Sequence, residues 1–448
     1  MNDERDLRPD KEIDSRVNSW LTATDLSSDE ADSGLDRLLD EFPVTPQTRR
    51  RFLGRWLERD EGTGRRATGR DHPPNVNRRN RLMLSVTAIT AALAILAVSA
   101  SVIDSDPVTP GAEGGASHIV AADGTGDFAT IQAAVDAAAD GDTITVMPGT
   151  YTESVVIDKD LAVAGDGPRE DVVVMIPKDG PSLDPDGRLI SYGFQLLGAD
   201  TSLGGLTIKG SGLRTIAVVA EGGSPVLHEL SIDLGKLTAW PRAFAWIGDD
   251  AQAIVRDNES NAEIGMGDDV RATVTGNVTT GPDATNGFVV FVSDEAVVEL
   301  SGNRLNGVFA HGGTSQLDQN ELLDADGCAL EITGNKTVVT ASANSIHSSE
   351  TGVCTSGGAA ATIVANDIVD NGTGISLGTD ASVSNNEVHE NGTGILFRVG
   401  SPTVEGNSVT DNGVGLAFGS LPTTPSINDN ELCQNATGVE APQGVVVP

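Results

Sequence analysis

A chain of 448 residues with 38% hydrophobic content is long enough to bury a large core. Its formal net charge of −36 excludes a surface built to hold nucleic acid or anionic lipid. The three cysteines, and the lack of any Walker, Rossmann, HExxH or CxxC pattern, leave nucleotide, thiol and zinc-motif chemistries without support.

The charge is uneven along the chain. Residues 1–81 carry 17 acidic and 16 basic side chains, whereas residues 104–448 carry 48 and 13. The first segment shows two short amphipathic helical patterns: Ile13, Val17, Trp20 and Leu21, then Leu35, Leu38, Leu39 and Phe42 behind a Ser33 cap. With Thr45 to Arg51 these resemble the juxtamembrane segments of bacterial anti-sigma-like membrane proteins, which would imply a transmembrane sensor; a plain cytosolic tail is the alternative. Thr48-Arg49-Arg50-Arg51-Phe52-Leu53 has the look of a twin-arginine export signal, but the apolar stretch that should follow is displaced by charged residues 54–81. A basic helix end on the cytoplasmic side is the plainer reading.

Leu82 to Ile103 is a run of 22 residues without a charge, long enough to span a bilayer as one helix. Arg78, Arg79 and Arg81 precede it, and Asp104 and Asp106 follow, so the expected topology is single-pass, with a cytoplasmic N-terminus and an extracytoplasmic C-terminal region. Small residues at Val98 and Ala100 would permit cleavage, but an 81-residue preamble is long for a signal peptide. Residues 104–117, with Pro107, Pro110 and three Gly, read as a tether.

From His118 the pattern becomes β. Thr130 reads as the N-cap of a short helix with Ile131, Val135 and Ala138 on one face and Gly141 as its stop. Ile144-Thr145-Val146, Val155-Val156-Ile157 and Leu161-Ala162-Val163 then alternate as strands. Near the C-terminus one sentence repeats four times: an Asn, an aliphatic two residues on, a second Asn, then Gly and an aliphatic. It opens at Asn366, Asn386, Asn407 and Asn430, after intervals of 20, 21 and 23 residues. Degraded copies open at Asn303, Asn320 and Asn344.

Such a period marks a solenoid, in which no unit buries its apolar face until a neighbour stacks on it. Short alternating segments such as Ile375-Ser376-Leu377 supply strands. Asn and Gly between them supply residues that tolerate left-handed backbone. An Asn at the same corner of successive coils can bond its amide to the coils above and below. The expected fold is an all-β parallel β-helix over residues 118–448, of roughly a dozen coils spaced by about 4.8 Å.

The segment His118 to Tyr151, with Asp127-Phe128, Thr130-Ile131-Gln132, Gly141 and Pro148-Gly149, resembles the opening of the pectin-lyase-like right-handed β-helix superfamily, and its pectin methylesterase branch in particular. The resemblance implies that the helix plugs the open end of the stack. It transfers no activity. The Gln, two Asp and Arg of the methylesterase site have no counterpart, and neither do the lyase segments that supply Ca²⁺-binding carboxylates and an Arg base.

Candidate chemistry centres on two clusters. Gly248-Asp249-Asp250 is similar to the paired-carboxylate element of polygalacturonases, and with Arg256 and His311 gives a candidate catalytic set for an acidic-glycan lyase or hydrolase. A second doublet, Gly267-Asp268-Asp269, makes a solvated turn the plainer reading. Trp240, Phe244 and Trp246 form an aromatic cluster that would serve as a carbohydrate platform or, since Phe244 and Trp246 fall on one face of a regular strand, as core. Strict alternation points Cys328 inward and Cys354 outward, so both are expected as free thiols.

The leading expectation is a membrane-anchored, outward-facing β-helix that binds a polysaccharide or surface partner without a catalytic set. The enzyme and the sensor stand as alternatives. No cofactor is implied; Ca²⁺ is compatible with the acidic surface but no motif calls for it, and nothing fixes the oligomeric state.

Overall fold

The computed structural model describes residues 115–442 apart from 179–181, 184–188, 211–214, 236–241, 249, 268, 280–289 and 420–423. The segment 1–81, the apolar run Leu82–Ile103 and most of the 104–117 tether lie outside the described residues. Among those described, no helix is long and apolar enough to cross a membrane.

The chain winds as a parallel solenoid of stacked coils. Each full coil contributes one strand to a first sheet, turns a corner into a second, passes a tight bend into a third, and returns. Hydrogen bonding joins the first two into a 26-stranded sheet and leaves the third as a separate 13-stranded sheet. The strands Val290–Ser301 and Val308–Asp318 run through the corner between the first two sheets and pair on both sides of it. Stacking puts equivalent positions of successive coils in register, so Val218, Ala245, Ile264, Val290, Val308, Leu330, Val353, Ile375 and Ile395 form one inward column. Each is fully buried. Burying such a column is what holds one coil on the next, at about 25 cal/mol per Å² of apolar surface.

The expected Asn ladder is present, twice. At the bend between the second and third sheets, Asn258, Asn277, Asn303, Asn320, Asn344, Asn366, Asn386, Asn407 and Asn430 pass side-chain bonds from Nδ2 to the next Oδ1 at 2.8–3.0 Å. A second ladder, Asn371, Asn391, Asn412 and Asn435, runs along the return to the first sheet at 3.0–3.1 Å. Each interior rung also accepts the backbone N–H of the Asn before it, as Asn386 does from Asn366 at 2.9 Å. These amides are therefore buried and satisfied.

The left-handed corner residues are in part the expected Gly and Asn, at Gly276, Gly302, Asn385 and Gly406, and elsewhere other residues. They immediately precede the ladder Asn: Ala365 at φ +55°, Asn385 at +55°, Asp370 at +54°, Glu390 at +56° and Asp411 at +58°. The Asn itself is needed for the ladder. The repeat Gly is needed for closeness: a Cβ on Gly374 would lie 2.7 Å from the Gly394 carbonyl oxygen and 2.8 Å from Val388 Cγ1.

At the N-terminal end, Ile131–Ala137 forms the plug helix. Thr130 Oγ1 accepts from the Ala133 N–H at 3.3 Å, and Glu153 accepts from the N–H groups of Ile131 and Gln132 at 2.9 Å each. Three orphan donors are thereby satisfied. Ile131, Ala134 and Val135 cover the first coil. The helix stops at Ala137, before Gly141, because the Asp142 carboxylate takes the Ala139 N–H at 2.8 Å and pulls the chain out of helix. That bond, with the His118 ring at 2.9 Å, holds the Asp142 carboxyl down at about 2.

Cys328 and Cys354 are joined in a disulfide, contrary to the expectation of free thiols. Strict alternation fails at this corner. Ala329 and Leu330 are both buried, as are Gly352 and Val353, so two consecutive residues turn inward on each coil. Both half-buried cysteines are left on the outer side, with Cα atoms 5.9 Å apart. Cys433 is free and exposed.

Candidate functional site: the outward face of the first sheet

On the first sheet, the residues that alternate with the inward column lie on its outer side. In register they run Gln195, Val219, Trp246, Gly265, Phe291, Phe309, Glu331, Cys354, Ser376, Leu396 and Ala417. The middle of this column is aromatic. Trp246 lies across Gly265, where a Cβ would meet its Cε3 at 2.5 Å, so the glycine is what lets the indole lie flat on the sheet. Phe291 and Phe309 stack with centroids 5.0 Å apart and planes inclined by 28°. His311, exposed and two residues along the same strand, meets Phe309 edge-on at 5.8 Å. Trp246, Phe291 and Phe309 are all half-buried, and across four rungs they form a ribbon roughly 14 Å long at a 4.8 Å spacing.

The ribbon ends in polar groups. Glu331 follows Phe309 one rung on, and burial pushes its carboxyl above the usual range. His311 lines a cleft with Gly312, Gly334, Asn335, Lys336 and Thr337 at the corner into the second sheet. That corner is fixed by the Gly312 N–H, which donates to Thr337 Oγ1 at 2.7 Å. One rung before Phe291, at the other edge of the strand Glu263–Met266, the Glu263 carboxyl is pushed up to about 7 by burial.

The structure separates the sequence-derived catalytic set. Asp249 lies outside the described residues. Asp250 is exposed at the corner after the strand Arg242–Gly248, with φ +62°. Asp269, of the second doublet, occupies the equivalent corner one coil on, with φ +58°. Arg256 ends the strand Gln252–Arg256 on the second sheet, where it bonds Asp257 Oδ2 at 3.1 Å. It opposes His228 on the neighbouring rung, whose imidazole pKa is lowered by burial and by that guanidinium. Of the described members, His311 alone sits on the aromatic face.

The aromatic cluster divides as well. Trp240 lies outside the described residues. Phe244 and Trp246 do not share a face: Phe244 is fully buried, while Trp246 points outward. The register shifts between Ala243 and Ala245, so Phe244 is the extra residue of a bulge, and a bulge reverses the alternation beyond it. Phe291, Phe309, Glu331 and Lys336 were missed. Phe309 was open to detection, since it follows the Asn303 repeat and alternates with buried Val308 and Ala310. The stacking of Phe291 on it was not, because the sequence before Phe291 carries no clear copy of the repeat to fix its phase.

Residues 289–432 match a family model described as a right handed beta helix region. No curated protein matches the chain. Among solved structures, the mannuronan C-5 epimerase AlgE6 A-module of Azotobacter vinelandii is similar at 16% identity and a TM-score of 0.45, covering 71% of this chain and 94% of that one. An alginate lyase from Paenibacillus sp. is similar at 12% identity and TM-score 0.33, with coverage of 70% and 95%. The Dettilon tailspike protein is similar at 12% and 0.41, with coverage of 72% and 66%. Similarity at this level carries nothing about activity. The solenoid and the family match fit the resemblance of the opening segment to the pectin-lyase-like right-handed β-helix superfamily.

Proposed function

We propose that this chain binds a polysaccharide along the outward face of its first sheet, over Trp246, Phe291 and Phe309. The observation that carries the reading is the Phe291–Phe309 stack on adjacent rungs, continued by Trp246 across Gly265. Large rings held half-exposed on a rigid sheet offer an apolar surface of fixed pitch, which the C–H face of a sugar ring can cover without ordering a loop. His311 and Lys336 at the end of the ribbon add polar groups for sugar hydroxyls or a carboxylate, on a molecule otherwise strongly acidic. An array of acidic, neutral and mannan-type glycans tests the reading: binding to at least one class, weakened in Phe291→Ala, is expected. Flat signals across all classes overturn it.

A second reading, a hydrolase or lyase on the same face, is favoured by Glu331. Its carboxyl holds a proton to higher pH than usual and lies one rung from Phe309, beside the strand that carries His311. A carboxyl that holds its proton more tightly than usual and an imidazole on one face offer a general acid and a general base for such chemistry. Release of reducing ends or of unsaturated products, abolished in Glu331→Gln with binding intact, would establish catalysis; binding without turnover in the wild type would reject it.

Both readings need the solenoid outside the cell, with Leu82–Ile103 as its anchor. The Cys328–Cys354 disulfide supports that placement, because such bonds persist in oxidising compartments. Protease added to intact cells should digest residues beyond 104 and spare 1–81. The reverse pattern would invert the topology.

A further inference from the structure

Both histidines on the outward face of the third sheet reach back to a carboxylate on the preceding rung. His347 Nε2 lies 3.2 Å from Glu321 Oε1, and His389 Nε2 lies 3.0 Å from Asp367 Oδ1. The register is the same in both cases: Glu321 opposes Ser345, two residues before His347, and Asp367 opposes Glu387, two residues before His389. The surroundings differ. Arg304, one rung before Glu321, engages that carboxylate at 3.4 Å, whereas the rung before Asp367 supplies Ser345. The position opposite the carboxylate is a second carboxylate, Glu387, only in the second pair.

We propose that Asp367, Glu387 and His389 form a binding site for one divalent transition-metal ion of the Zn²⁺ type. One ligand atom from each lies within 4.8 Å of the other two. Two carboxylate oxygens and one imidazole nitrogen are ligands of Zn²⁺-like ions, and three protein ligands leave a coordination position for water. Ca²⁺, which takes six to eight oxygens, fits this set poorly. The His389 ring has a further carboxylate behind it, with Glu390 Oε1 4.0 Å from Nδ1, on the side from which a second carboxylate orients a metal-binding imidazole.

The backbone that carries the ligands is held in advance. Asn366 and Asn386, immediately before Asp367 and Glu387, are joined in the first ladder at 2.9 Å. Asn391 Nδ2 donates to the His389 carbonyl at 2.9 Å, and Asn391 is itself a rung of the second. Ile368 and Val388, beneath the ligands, are fully buried. Two ladders thus fix the rung spacing on either side of the site, so a metal ion would find its ligands without reordering the chain. The His347 pair, on the same scaffold with Ser345 and Arg304, is a built-in control.

The test is a Zn²⁺ titration of the full-length chain after chelator treatment, with millimolar Ca²⁺ present to occupy generic acidic pairs. One Zn²⁺ per chain is expected, bound about tenfold or more weakly in His389→Ala and in Glu387→Ser and unchanged in His347→Ala. Co²⁺ in place of Zn²⁺ gives a second readout, a ligand-field absorption lost in the same two variants. Equal Zn²⁺ binding in wild type and His389→Ala would mean an adventitious ion on the acidic surface only. Equal loss in His347→Ala would likewise overturn the assignment. Glu387→Ser introduces the residue already tolerated at 345, so a folding failure of His389→Ala would not remove the test.

Discussion

The coils from Asn344 to Asn435 and those from Leu189 to Asp318 share one cross-section and use it differently. In the C-terminal coils three residues separate the third sheet from the next first-sheet strand, as between Val369 and Thr373 or His389 and Thr393. Two ladders hold these coils, and their outward first-sheet positions are Cys354, Ser376, Leu396 and Ala417. In the earlier coils the return varies, from two residues between Ser260 and Glu263 or Leu305 and Val308 to ten between Thr279 and Val290, and no second Asn ladder forms among the described residues. There the same outward column carries Trp246, Phe291 and Phe309. Where stacking is satisfied by repetition the surface is plain. Where repetition breaks, large side chains stand on the face. Departures of this kind from local consistency are where a site is expected.

The largest test strikes the repetition itself. Asn386 accepts from the Asn366 N–H and Nδ2 and donates to the Ile363 and Ser384 carbonyls and to Asn407 Oδ1. Asn386→Ala strands buried partners on two neighbouring coils and should cost ~3–5 kcal/mol in denaturant unfolding. Asn430→Ala, at the partly buried end of the ladder, should cost less than half as much. Equal costs would mean that the ladder contributes no cooperativity.

Next is the junction between the two regions. The disulfide closes 26 residues of chain, and Cys328→Ser should lower stability by ~3 kcal/mol, the magnitude expected for a loop of this length. Reducing agent should lower the melting temperature of the wild type and leave that of the variant unchanged.

Glu263 gives the irregular coils a pH signature. Its folded pKa of about 7 lies above the ordinary 4.5, so the native state binds more protons than the unfolded chain between those values. Stability therefore falls as pH rises from 4.5 to 7, by an amount on the order of 2–3 kcal/mol, and this loss is complete above pH 7. Glu263→Gln should flatten that limb of the stability–pH profile. An unchanged profile would show that the carboxyl is solvated.

The smallest effect lies in the regular coils. Ala365 holds φ +55°, a conformation that costs a residue with a Cβ ~1 kcal/mol relative to glycine. Ala365→Gly should raise stability by ~0.5 kcal/mol once the added entropy of the unfolded chain is counted, measured as a shift in denaturation midpoint.

The sequence carried most of the solenoid because stacking converts a structural period into a chemical one. Asn366, Asn386, Asn407 and Asn430 recur because each completes the bonds of its neighbours. The plug helix was legible for a similar reason, since Thr130 caps it as its position implies. What failed was strict alternation at corners. Two successive inward residues at Ala329 and Leu330 bring Cys328 out to Cys354, and the bulge at Phe244 separates it from Trp246. The aromatic face was hidden because Trp246, Phe291 and Phe309 come from rungs separated by unequal lengths of sequence, and only the register places them in one column. The Asp367, Glu387 and His389 cluster escaped for the opposite reason. Within the clearest repeats, its members read as the polar half of an alternating strand.

The contrast between the two regions can be tested within one outward column. Phe309 and Leu396 face the same way on the same sheet, one in the irregular coils and one in the regular. Affinity of the full-length chain for its best array glycan should fall by about tenfold or more in Phe291→Ala and in Phe309→Ala, as loss of an aromatic stacking contact implies, and stay at the wild-type value in Leu396→Ala. If Leu396→Ala weakens binding as much as the phenylalanine variants, or if those variants bind as wild type does, the aromatic ribbon is not the glycan site.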